Sequence, residues 1–321
     1  MRSGGLRCEG DEKTMSDLFD IGGTNLDLGF ENLKAAVSPM EQQLRATLQE
    51  MWKYYEPYAD RDFRHGLARD FDGRFWEMYL GYTLLKAGRT LLPFAERHRE
   101  GGQPDLCVLD DGRRIWIEAI TPREGEPGPD RMVRPVPVNE GGGFVAAPIR
   151  QAQLRTSHAF WTKAQRIGYY MEQGVIAPED IRIIAISASR FGVYISEQPL
   201  PLIMTTLFPI GDAYITIDRE TGGVLAEGFH AAPFIARDRG PIPRTAFLDE
   251  HFAHISGVIW SRISIGNFSR RVRPISYVHN PLAQTPLPIN WGVWDREFVT
   301  TQHGDEWQAN DILAEATAQV P

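Results

Sequence analysis

Glu118 is the residue that most restricts how this chain can fold. It stands inside an apolar, strand-like run, 113–121 (RRIWIEAIT), between Ile117 and Ala119. A carboxylate in a core strand is costly unless it is paired, hydrogen-bonded or bound to a cation. The preceding run, 104–110 (PDLCVLD), is joined to it by Asp111-Gly112, a strong signal for a two-residue hairpin turn. Asp105 lies six residues before Asp111 and Glu118 six after Gly112, so a hairpin sets the two acids roughly opposite one another. Glu77 sits in a third apolar segment, among Phe75, Trp76, Tyr79 and Leu80. Apolar residues nearly all round that segment predict a buried helix. Laid against the acid-bearing side of the hairpin, that helix adds Glu77 to the pair. Taken singly, an arginine partner for Glu118 or a turn cap by Asp105 explains each acid. Taken together, in this order, they point to a site.

The surrounding pattern predicts an α/β fold. Ser38-Pro39 opens a helix through Leu44, Leu48, Met51, Trp52 and Tyr55, with Ser as N-cap and Pro at the first helical position. The Glu77 helix runs from about Asp72 to Gly88, and short strands follow at 90–95, 104–110 and 113–121. Residues 122–148 are rich in Pro and Gly and predict a long loop. A helix from about Ala147 to Met171 and a continuous apolar strand at 181–188 complete the order helix, three strands, helix, strand. Residues 1–37 are expected to be a mobile lead, 38–188 a core domain, and 189–321 a C-terminal α+β extension or subdomain. Within that last part, strands are expected at 213–217, 257–261 and 275–279, a helix near 246–255 and an amphipathic stretch near 305–318.

Composition narrows the setting. A chain of 321 residues buries a core without disulfides, and the two cysteines, Cys8 and Cys107, have no zinc-type spacing. A reducing cytoplasm is the expected location. No run approaches the ~18 apolar residues of a membrane helix, and residues 1–10 carry no apolar leader. The net charge of −8 argues against nucleic-acid binding through a diffuse basic surface but leaves a local basic cleft open. Arg262, Arg270, Arg271 and Arg273, near Phe268, form a local basic run that suits a phosphate backbone or an ordinary strand edge equally. His279-Asn280-Pro281 reads as a turn cap at a strand end.

Clustered carboxylates repel one another unless a cation neutralises them, and oxygen-rich sites with open positions suit Mg2+ or Mn2+. With Glu77 on the first core helix, the literal Pro104-Asp105 and Glu118 on the strand after a hairpin, the chain resembles the PD-(D/E)XK nuclease superfamily over residues 72–188. Gln165 and Tyr169 on the following helix match the Gln-x-x-x-Tyr spacing of one of its branches. The resemblance implies a restriction-endonuclease-like αβββαβ core: a mixed sheet flanked by helices. It implies Glu77, Asp105 and Glu118 as ligands of Mg2+ or Mn2+, Gln165 and Tyr169 as supporting residues, and hydrolysis of DNA or RNA phosphodiesters. The family's lysine, two residues after the second acid, is replaced here by Ile120. Lys163 is the best substitute and Arg155 the reserve. The alternative is a nuclease-fold protein that has lost catalysis and binds nucleic acid or protein. No membrane partner is expected, and a homodimer stays open.

Overall fold

Ser38 starts the long helix α2 (Pro39–Tyr55) with a reciprocal cap. Its Oγ accepts from the Glu41 N–H at 3.2 Å, and the Ser38 N–H donates to the Glu41 carboxylate at 2.7 Å. The computed structural model describes residues 16–97, 102–132, 147–195, 197–268, 275–303 and 306–314. Before α2 lies α1 (Leu28–Ala35); after it come α3 (Phe63–Arg69), α4 (Phe71–Lys86) and the short α5 (Phe94–Arg97). The fourth helix, α4, is buried along most of its length, as its apolar composition requires.

The first strands of the main sheet are β1 (Thr90–Leu91), β2 (Leu106–Asp110), β3 (Arg113–Ile120) and β4 (Ile181–Ser187). Helix α6 (Ile149–Glu172) crosses from β3 to β4. Asp111 and Gly112 both take positive φ, 47° and 78°, forming the tight turn between β2 and β3. The register Leu106↔Ile117 places Asp105 and Glu118 at the next position. The third strand pairs in parallel with β4, a pairing that needs a crossover such as α6.

Between β4 and β9 come α7 (Met204–Leu207), the hairpin β5 (Ile210–Ile217) and β6 (Val224–Ala231), and the small pair β7 (Phe234–Ile235) and β8 (Ile242–Pro243). The main sheet then resumes with β9 (Gly257–Ser261), β10 (Ile275–His279), β11 (Arg296–His303) and β12 (Glu306–Asp311). Its order is β1-β2-β3-β4-β9-β10-β11-β12, with β4 pairing in parallel with β9. The C-terminal part therefore extends the same sheet.

Strand alternation sorts side chains to two cores. Ile115, Ile117, Ile181, Ile183 and Ala185 join α1, α2, α3 and α4 on one face. Trp116, Ile184, Ile186, Val258 and Trp260 join α6 and α7 on the other. The molecule is thus mixed α/β, with a large mixed sheet flanked by helices. Among the described residues, no helix is long and apolar enough to cross a membrane.

Several expectations need correction. Residues 16–37 do not stand off as a lead: Leu18, Phe19 and Phe30 are fully buried against α2 and α4 because the segment is apolar at those positions. The strand at 90–95 stops after Leu91, where Pro93 removes a donor and a turn of helix begins. The helix near 246–255 is two 3₁₀ turns, Ala246–Leu248 and Glu250–Phe252, divided by Asp249, whose side chain caps the second. Residues 306–311 of the expected C-terminal amphipathic stretch form β12, paired along the β11 edge. Arg270, Arg271 and Arg273 lie outside the described residues, as does much of the expected 122–148 loop.

Candidate active site

The C-terminal end of β3 opens into a cavity of about 440 Å³ lined by Glu77, Asp105, Ala119, Arg155 and Lys163, among others. Its walls are the first half of α4, one stripe of α6 and the segment 119–125. Glu118, one residue before the lining Ala119, is buried with 2% exposure.

Glu118 shares its face of the sheet with Trp116, and that face is covered by α6. Lys163 reaches down from α6, and its Nζ donates to Glu118 Oε1 at 2.7 Å. Arg166 Nε lies 3.5 Å from the same oxygen. The other oxygen, Oε2, is buried with no hydrogen-bond partner in the protein. Burial first, and the nearby Asp105 charge second, push the Glu118 carboxyl up to about 7 against the pull of Lys163.

Asp105 is held from both sides. Its Oδ2 accepts from the Ala119 N–H at 2.7 Å, which ties the start of β2 to the end of β3. Its backbone carbonyl accepts from the buried Arg97, which also donates to Leu92 O and Tyr58 O at 2.8 Å each. One guanidinium thus pins three stretches of chain beneath the acid.

Glu77 is reached from the opposite core, because α4 covers the other face of the sheet. Its Oε1 accepts from Tyr55 Oη at 2.7 Å, and its Oε2 accepts from Arg74 at 2.8 Å, while Arg74 also grips Asp60 at 2.8 Å. Burial and Asp105 push the Glu77 carboxyl up to about 8. Tyr55 and Arg74 engage both of its oxygens, and the expected three-carboxylate cluster does not form. Among the described residues, no group of three or more His, Cys, Asp and Glu side chains is placed to hold a metal ion.

The donor set that fits a hard divalent cation is smaller than the sequence suggested. Asp105 and the unpartnered Glu118 Oε2 are the oxygens that could hold one, since Mg2+ is commonly bound by one or two carboxylates with water and substrate oxygens completing the shell.

The expected Gln165 and Tyr169 do not reach the cavity. Gln165 is exposed and Tyr169 is 54% exposed. At 100° per residue they lie across the helix from Lys163. The same rotation brings Arg166 and Tyr170 beside it. Arg166 Nε donates to Tyr170 Oη at 2.6 Å, and that hydroxyl donates to Gln103 O at 3.3 Å. Sequence reading also missed Arg74 and Tyr55. Arg74 had a signal in its i, i+3 spacing to Glu77; Tyr55 had none, since α2 and α4 meet only in the fold.

At the mouth, Asp70 accepts from Arg190 and pairs with Arg123 at 3.2 Å, and Arg190 reaches Asp72 at 3.0 Å. Arg262, expected in a surface basic run, is instead buried and donates to Gly192 O at 2.9 Å. His279 is also buried, with Nε2 2.7 Å from Glu297 Oε1. The fold and cavity define an α/β protein with two facing acids and a lysine at the end of its central strands. No family model matches the chain, and no curated protein or solved structure matches it significantly.

Proposed function

We propose that this chain is a divalent-metal-dependent nuclease of PD-(D/E)XK type, with a restriction-endonuclease-like core in residues 72–188. The observation that carries this reading is Lys163 Nζ at 2.7 Å from Glu118 Oε1, with Asp105 lining the same cavity. An amine there takes the place of the motif lysine that Ile120 cannot supply. Asp105 and Glu118 would hold Mg2+ or Mn2+, which when bound lowers the pKa of a water and neutralises charge on the phosphate. Lys163 orients the attacking water and stabilises charge that develops at the scissile phosphate. Glu77 serves differently from the expectation: tied to Tyr55 and Arg74, it keeps Arg74 on the cavity wall. Burial of Glu118 keeps bulk water from its carboxyl and strengthens its interactions.

The test is hydrolysis of single-stranded and duplex DNA and RNA with Mn2+ or Mg2+. Asp105→Asn and Lys163→Met should each lower the rate by ~10²–10³. A pure protein that leaves all four substrates intact in Mn2+ sinks the reading. A second reading, a nuclease-fold binding protein without hydrolysis, is favoured by the protein donors already satisfying Glu77 and one oxygen of Glu118. It predicts strand binding without cutting.

A further inference from the structure

Three of the four strong cations on the cavity wall are already spoken for. Arg74 is paired with Asp60 and Glu77, Arg123 with Asp70, and Lys163 with Glu118. Arg155 is the exception: among the described residues it makes no ion pair, and its Nε is buried with no hydrogen-bond partner. A guanidinium half-withdrawn from water without a partner is costly, and a protein retains one where a ligand completes it.

The backbone over it is shaped to fit. Gly125 takes φ +92°, a conformation that favours glycine, and a Cβ there would lie 2.5 Å from Arg155 Nη1. The chain therefore passes close against the guanidinium, and both residues line the cavity. On α6, Arg155, Ala159, Thr162 and Lys163 fall on one stripe that faces the cavity. Arg155 and Lys163 are eight residues apart, a span of ~12 Å along the helix axis. At 3.4 Å of helical rise per nucleotide, that span covers several phosphates of one strand.

We propose that Arg155, backed by Gly125, is a phosphate-binding subsite for a nucleic-acid strand, gripping a phosphodiester several nucleotides from the one at Asp105 and Glu118. The inference rests on the nucleic-acid reading of the cavity and adds to it the path of the strand along α6. Its forked donors suit two phosphate oxygens at once. Because this contact is remote from the reacting atoms, it contributes to binding equally in ground and transition states. It therefore lowers KM and leaves kcat alone.

The experiment is titration of a labelled single-stranded DNA of about 12 nucleotides, within the usual range of single-strand sites, in EDTA from about 50 to 200 mM salt. Arg155→Met keeps the aliphatic stem and removes the charge. It should weaken binding by ~10-fold and reduce the slope of log K against log salt by ~0.7, one phosphate contact on a single strand. Arg155→Lys should restore most of that slope. Arg155→Gln stands in if the methionine variant does not fold. An unchanged slope in the neutral variant, or no strand binding by the wild-type protein, overturns the subsite. Binding with the expected slope change but no cutting in Mn2+ keeps the subsite and removes the nuclease reading. Cutting in Mn2+ with an Arg155-independent slope does the reverse.

Discussion

At Glu118 one carboxylate carries two environments: Oε1 meets Lys163 and Oε2 meets nothing. Glu77, across the sheet, has both oxygens occupied and is 5% exposed. Both carboxyls are pushed up in the fold, to about 7 and about 8, from an ordinary 4.5. The sign for stability follows from proton linkage. Below the unfolded value both states are protonated and the buried acids cost least. As pH climbs, the unfolded chain releases its protons first, so stability is lost progressively up to the folded values. In EDTA the melting temperature should fall as pH rises from about 4.5 to about 8. Glu77→Gln has no proton to release and should flatten that slope. A melting temperature that climbs across the window would show that the acids are not buried as described.

At the scale of one element, α6 decides which residues serve the cavity. Lys163, Arg166 and Tyr170 share a stripe, whereas Gln165 and Tyr169 are turned to solvent by about half a turn. Gln165→Ala should therefore change stability by less than ~0.5 kcal/mol and leave strand cleavage at its wild-type rate. Tyr170→Ala should cost ~3 kcal/mol, since that ring is 1% exposed and its hydroxyl bridges Arg166 and Gln103. Denaturant unfolding of the two variants checks the contrast. Equal losses would mean that the register of the helix against β3 and β4 is different.

The whole molecule is held together by the position of β4. All seven of its residues are buried, with β3 on one side and β9, seventy residues later in the chain, on the other. Arg182 on β4 reinforces the join by donating to His254 O at 2.6 Å and to Thr285 Oγ1 at 2.8 Å. A fragment of residues 38–188 would expose β4 as an edge and uncover Ile184 and Ile186, which pack on Val258 and Trp260. Expressed alone, it should show no cooperative thermal transition by circular dichroism and should aggregate. A sharp transition in the fragment would show that it folds as an independent domain.

The sequence by itself determined what depends on neighbours in the chain. The cap at Ser38, the turn at Asp111-Gly112, the strands β9 and β10 and the pairing of Asp105 with Glu118 all follow from periods and turn residues within a few positions. It also pointed to Lys163, the basic residue nearest the Gln165 and Tyr169 pair, and the fold sets its amine 2.7 Å from Glu118. Only the tertiary structure decided which face each acid occupies. Glu77 reads from sequence as a third member of the cluster, but α4 packs on the sheet face opposite α6, where Tyr55 and Arg74 take both its oxygens. The same limit hid the burial of Leu18, Phe19 and Phe30 and the lone state of Arg155. A period of 2.0 or 3.6 says that a side chain has a face; which helix lies over that face is set by contacts between residues far apart in the chain, and local pattern carries no record of them.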